Sequence, residues 1–225
     1  MLKHLKWPWT LTIITLFAGL VAYFPISPDV ELPIHWNING EVDGTAQPHI
    51  ALFLIPIIQI ILLSFFSVIK YIEPRRKNIE NSMPAIRAIL TGVVAILLLV
   101  QAIIISEAFE VHIFGPKLVF ISLGILLVIM GNYMTKVRSG FFIGIRTPWT
   151  LSSDFVWKKT HRIGGKLLMV EGLIISIAPF LFNAEQLLII FIATMIPATL
   201  IPVIYSWVIW RYENNESKNE SSSPH

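Results

Sequence analysis

The chain has 225 residues, of which 55% are hydrophobic and only 14% charged, with a net charge of +3. A soluble domain carries about a quarter charged residues, so a water-exposed surface, and with it a soluble enzyme or nucleic-acid-binding domain, is excluded in favour of an integral membrane protein. The absence of cysteine removes disulfide frameworks, thiolate metal sites and a thiol nucleophile.

Six apolar runs follow one another at residues 9–24, 50–69, 88–105, 118–134, 167–182 and 187–210. Each approaches the ~20 residues that cross a ~30 Å hydrocarbon layer. The fold class they predict is all-α: a polytopic membrane protein with six transmembrane helices. The first run follows Lys3, His4 and Lys6 but has no small-residue cleavage site before Pro25, so it reads as a retained span. With six spans, 16 of the 17 lysines and arginines fall on one side, and only Lys117 on the other. The positive-inside rule places that side, and both termini, in the cytoplasm. Asp29, Glu31, Glu41, Asp43, Glu107, Glu110 and Glu185 fall on the outer side.

The outer connector, residues 25–49, alternates apolar Ile34, Trp36 and Ile38 with polar His35, Asn37 and Asn39 before reaching Asn39-Gly40. That pattern predicts a short extended or hairpin element on the outer face, with Trp36 near the lipid headgroups. His35, Glu41, Asp43 and His49 match no metal-ligand template; a partner-binding surface is a stronger reading than a metal site, and a simple structural cap is the other reading of the loop. Pro48 is placed to open the second span.

The inner connector, residues 135–166, mixes Phe141, Phe142, Trp149, Phe155 and Trp157 with Arg138, Arg146, Lys158, Lys159, His161 and Arg162. Gly144 to Trp149 cannot form regular helix, because the residue before Pro148 avoids the α region. Thr150 or Ser152 is a suitable N-cap for a helix from about residue 153, with Asp154 in its first turn, running through Gly164-Gly165 into the fifth span. Such a basic, aromatic segment suits either an anionic lipid surface or a cytoplasmic docking partner.

Gln59 and Gln101 are expected to form interhelical hydrogen bonds, and Pro56, Pro197 and Pro202 to kink their helices. Glu171 lies about five residues into the fifth span, in a structural interhelical bond, in a proton- or ligand-linked role, or as a lipid-facing group that snorkels to the interface. The tail, residues 211–225, is polar and reads as disordered. No hydrolase, metalloprotease or phosphate-loop motif is present, so the expectation is that the chain is not an enzyme and takes no cofactor or metal. A small secondary transporter using Glu171 is the alternative class.

Gly131-Asn132, then Ile143-Gly144-Ile145-Arg146-Thr147-Pro148-Trp149-Thr150-Leu151, then Val156-Trp157, Thr160-His161-Arg162 and Gly165 resemble the signature of the SdpI family of bacterial membrane proteins. Leu32-Pro33-Ile34-His35-Trp36-Asn37, with Gly40 and Asp43, is similar to the N-terminal module that accompanies that family. One departure is Gly140, where many members carry asparagine. The resemblance implies a two-span module over 1–84, a four-span module over 85–210 and a cell-membrane location. It also implies immunity against a secreted, membrane-active peptide toxin, and retention of a small repressor protein at the inner face, with no direct contact to nucleic acid. On that reading Pro33, His35, Trp36, Asn37, Gly40 and Asp43 form an outer partner surface. Asn132, Gly144, Arg146, Thr147, Pro148, Trp149, Thr150, Leu151, Trp157, His161 and Arg162 form an inner surface that binds a partner or is structural.

Overall fold

The computed structural model describes residues 5–37, 41–111 and 116–221, with side chains described for all of these except 70, 116 and 217–221. Helix α1 (Lys6–Tyr23) is followed by strands β1 (Leu32–Trp36) and β2 (Val42–Ala46). Then come α2 (Pro48–Ala51), α3 (Leu54–Ile72), α4 (Arg76–Ala108), α5 (Pro116–Met134), α6 (Pro148–Ser152), α7 (Asp154–Ile177) and α8 (Ala184–Ser221). One 3-10 turn, Ala178–Phe180, closes α7.

Among the described residues, five helical segments are long and apolar enough to cross a membrane: Pro48–Ile69, Arg76–Ala108, Lys117–Met134, Asp154–Phe180 and Ala184–Glu216. They cover five of the six apolar runs, all but residues 181–182 of the fifth. Helix α1 has 18 residues, about 27 Å at 1.5 Å per residue, but Lys6, Trp7, Pro8 and Trp9 dilute its hydropathy and it falls outside that set. Large apolar side chains such as Phe17, Ile61, Leu173 and Ile204 point outward. In water they would form an aggregation surface; in a bilayer they face lipid.

The structure packs as two groups of helices. Helices α1, α3 and α4 share a core of Leu5, Leu63, Ile69, Ile79, Met83, Ile86, Leu90 and Val94. Helices α5, α7 and α8 form the second group, in which Gly124 of α5 meets Gly172 of α7 and Gly131 meets Gly165. A Cβ added to Gly172 would stand 2.5 Å from the Gly124 carbonyl oxygen. These contacts recur every seven residues, two helical turns, and small residues are what allow membrane helices such close approach. The expected module boundary at 84/85 falls inside α4, which runs unbroken past Pro84 and packs on α1 and α3.

The second span begins as two pieces. Pro48 occupies the first turn of α2 as expected, but the helix is interrupted at Leu52–Phe53 before α3 begins. Proline at 56 has no N–H for the Leu52 carbonyl four residues earlier. Gln101 of α4 supplies the missing donor, its Nε2 lying 3.1 Å from Leu52 O, while Gln59 Nε2 donates to Val94 O at 3.2 Å. Both glutamines therefore bridge helices. The tail departs from expectation: α8 continues to Ser221, and Ser153 Oγ donates to Glu213 Oε1 at 3.0 Å. Composition alone suggested disorder, but extending an existing helix avoids the costly nucleation step.

Candidate functional site

Two polar assemblies lie at opposite ends of the helices. At the outer end, β1 and β2 pair antiparallel, with Leu32 opposite Ala46 and Trp36 opposite Val42. The expected hairpin is present; its Asn39-Gly40 corner, including Gly40, lies outside the described residues. His35 Nδ1 and Asp43 Oδ1 are 2.5 Å apart, Asn37 Nδ2 donates to Glu41 Oε2 at 2.9 Å, and Thr45 Oγ1 donates to Glu31. Glu41 is thus turned to Asn37 and does not converge with His35 and Asp43. Leu32, 1% exposed, plugs a cluster of Ala22, Ala51, Leu52, Ile55 and Ile104. Trp36 packs half-buried against the same cluster. Pro33 is buried, and His35 is the most open of the outer residues, with 71% of its side chain exposed.

At the inner end, the connector between α5 and α7 is tied down by hydrogen bonds at residues 137–139, 141, 145–147 and 149–151. Gly144 has φ of +108°, and a Cβ there would stand 2.5 Å from His161 Nε2. Only glycine meets both demands. The Ile145 N–H donates to His161 Nε2 at 2.9 Å, and His161 Nδ1 faces the Trp157 carbonyl at 2.8 Å. A carbonyl cannot donate, so the proton sits on Nδ1 and the ring is the neutral tautomer that can accept at Nε2. The Trp157 ring stacks on it at 4.0 Å, and Trp157 Nε1 donates to Val137 O at 2.9 Å.

Thr147 is extended, as the following proline requires, and caps α6 through a reciprocal bond pair with Thr150. Pro148 takes the first helical position. Thr147 Oγ1 lies 3.1 Å from Ser206 Oγ of α8, Thr150 Oγ1 donates to Ile145 O at 2.9 Å, and Arg146 Nη1 donates to the Phe141 carbonyl. The longer helix α7 is capped by Ser153 and not by the expected Thr150 or Ser152, because α6 uses those residues first. Asp154 in its first turn and the unbroken passage through Gly164-Gly165 are as expected.

Five contributors were not foreseen: Glu73, Arg75, Asn78, Ser82 and Ser139. Glu73, 1% exposed, accepts from the Arg75 N–H and the Phe141 N–H, both at 3.0 Å. Arg75 donates to Ser139 Oγ at 2.8 Å and to Leu151 O at 3.0 Å, with its guanidinium 5.3 Å from the Phe141 ring centre. Asn78 Nδ2 donates to Ser139 O at 2.7 Å, and Ser82 Oγ accepts from the Arg138 N–H at 2.9 Å. Ser139 Oγ donates to Asp154 Oδ1 at 2.7 Å. The α3–α4 connector therefore holds the α5–α7 connector. The available signal was a run of polar residues ending an apolar stretch, Glu73-Pro74-Arg75. Gly140 sits buried beside that carboxylate, its Cβ position 3.4 Å from Glu73 Oε2.

The structure thus gathers Gly144, Arg146, Thr147, Pro148, Trp149, Thr150, Leu151, Trp157 and His161 into one unit, in which Thr147, Thr150, Trp157 and His161 are buried while Arg146 and Pro148 are exposed. Asn132 on α5 and Arg162 on α7 are exposed and stand apart from it. A polar cavity of about 280 Å³ opens beside the unit, lined by Asn78, Asn81, Arg138, Asp154, Lys158 and His161 among others. Glu171 is 3% exposed on the buried face of α7, next to the Gly172 contact with α5.

Comparison with known proteins places these features in context. The SdpI/YfhL protein family matches over residues 136–206, and a domain of unknown function, DUF1648, over residues 10–60. The immunity protein SdpI of Bacillus subtilis (strain 168) is 30% identical over 184 residues, which cover 82% of this chain and 86% of that protein. No solved structure matches the chain.

Proposed function

Because the chain belongs to the SdpI/YfhL family of multi-pass membrane proteins, we propose that it protects a bacterial cell against a secreted, membrane-active peptide toxin and holds a small repressor protein at its inner face. The observation that carries this reading is the similarity to an immunity protein along most of both chains. The role is one of binding and not of enzyme catalysis. The outer hairpin offers aromatic Trp36 beside acidic Glu41 and Asp43, which suits an apolar, cationic peptide. The inner unit offers exposed Arg146 and half-buried Trp149 on a fixed scaffold.

Helix α4 supplies the link between the two ends. Its outer part contributes Ile104 to the cluster plugged by Leu32, and its inner part contributes Asn78 and Ser82 to the loop. A shift of the hairpin on toxin binding reaches the inner loop through one continuous helix of 33 residues. The test is survival of a toxin-sensitive bacterial strain expressing the chain, at verified membrane levels, under challenge with the peptide. Protection supports the reading, and survival equal to the empty-vector strain removes it. Repressor retention is read separately, by whether a tagged repressor moves to the membrane fraction when toxin is added.

A further inference from the structure

A second pocket lies away from the inner unit, between α7 and α8. It encloses about 250 Å³ and is lined by Lys159, Arg162, Ile163 and Lys166 of α7 and by Tyr205 of α8. The four α7 residues stand at i, i+3, i+4 and i+7, which places them on one helix face. No acidic side chain lines the pocket. Lys159, Arg162 and Lys166 are all exposed, and like charges at this spacing repel one another. The arrangement calls for a bound anion.

The same face continues toward the opposite end of α7 as Val170, Leu173, Ile174 and Ile177, which are 55%, 55%, 40% and 54% exposed. They follow Lys166 at i+4, i+7, i+8 and i+11, so cations and exposed apolar groups form a single stripe. From Lys166 to Ile177 the rise is about 16 Å, close to the ~15 Å depth of one hydrocarbon leaflet. A stripe with three cations and a phenol at one end and one leaflet's depth of apolar surface at the other has the dimensions and polarity of one phospholipid.

We infer that the α7–α8 pocket is a binding site for an anionic phospholipid, whose phosphate sits among Lys159, Arg162, Lys166 and the Tyr205 hydroxyl while its acyl chains lie along Val170, Leu173, Ile174 and Ile177. Arginine can grip phosphate oxygens with two N–H groups at once, and lysines add point charge. An acidic protein segment would use the cations but leave the apolar stripe unexplained, and a free phosphate ion would do the same. The inference is independent of the toxin reading.

The experiment is native mass spectrometry of the full chain in mild detergent, titrated with phosphatidylglycerol or with phosphatidylcholine of the same acyl chains. The wild type is expected to retain phosphatidylglycerol in preference to phosphatidylcholine. Arg162→Gln should weaken retention about fivefold, and the triple change Lys159→Gln, Arg162→Gln, Lys166→Gln roughly a hundredfold if contributions add. A control triple, Arg76→Gln, Lys77→Gln, Lys136→Gln, removes the same inner-side charge outside the pocket and should leave retention unchanged. Equal loss in both triples would reduce the effect to bulk surface charge and overturn the site. Displacement of the lipid by millimolar inorganic phosphate or glycerol phosphate would assign the pocket to a soluble anion and overturn the lipid claim. No preference between the two lipids in the wild type would overturn it outright. Matched melting temperatures for the variants guard against loss through misfolding, and Arg162→Lys, expected to keep partial retention, gives a second reading at an unchanged charge.

Discussion

The residue that most tightly joins sequence to shape is Gly144. Its positive φ and the 2.5 Å approach of His161 Nε2 to its Cβ position make Gly144→Ala costly on two counts. We expect a loss of about 1–3 kcal/mol, read as a lower melting temperature in detergent and as reduced protection at matched expression. A melting temperature equal to wild type would show that the loop has another accessible shape. Trp36 and Glu171 separate a receptor from a proton-coupled exporter. Trp36→Ala should reduce survival under toxin, whereas Glu171→Gln should be tolerated; since Trp36 also packs on the outer cluster, membrane levels must be matched. If Glu171→Gln alone abolishes protection, the receptor reading fails. The Gly144–Leu151 run was legible in the sequence because Pro148 and the flanking threonines impose local geometry. Arg75 and Glu73 were not, because their partners lie 64 to 76 residues away in the chain and nothing local reports such pairs. Arg75 therefore counted only as one more marker of the positive side.

At the scale of elements, apolar length located the five helices long and apolar enough to cross a membrane, since burial in lipid leaves little room for irregular backbone. The hairpin was legible from the alternation through His35, Trp36 and Asn37. The interruption at Leu52–Phe53 was only half visible: Pro56 announced a disturbance, but its repair by Gln101 needs the fold. The α5–α7 pair was the least visible, because its glycines read as isolated until their partners are known. Gly124 and Gly172 set the closeness of that pair, so Gly124→Leu should cost at least about 1–3 kcal/mol through overpacking. Thermal unfolding in detergent measures it, with Ile125→Leu, at an exposed position of the same helix, as the control. Equal melting temperatures for the two variants would mean that the helices do not depend on this contact.

For the whole molecule, the testable quantity is orientation. The distribution of lysine and arginine predicts six spans with both termini inside, and the cysteine-free chain is a clean background for thiol labelling. A membrane-impermeant maleimide should label Asp43→Cys and Asn183→Cys in intact cells, and Arg146→Cys only after lysis. Labelling of Arg146→Cys in intact cells would invert the protein and dissociate the inner unit from any cytoplasmic partner. Charge counting gives sidedness because it sums over many weak contributions. It gives no information on how the two helix groups dock, which depends on single hydrogen bonds between distant connectors.

The bond between Thr147 and Ser206 also has a consequence in time. Ribosomes add about 5–20 residues per second, so Ser206 emerges roughly 3–12 seconds after Thr147. Glu73, Arg75 and Asn78 have all been made by the time Thr147 appears, and they can seat the first half of the loop at once. The second half waits for the last helix to insert. A chain arrested or truncated before residue 206 would therefore present the earlier helices without a complete last one and with an unfinished inner face, a natural substrate for membrane quality control.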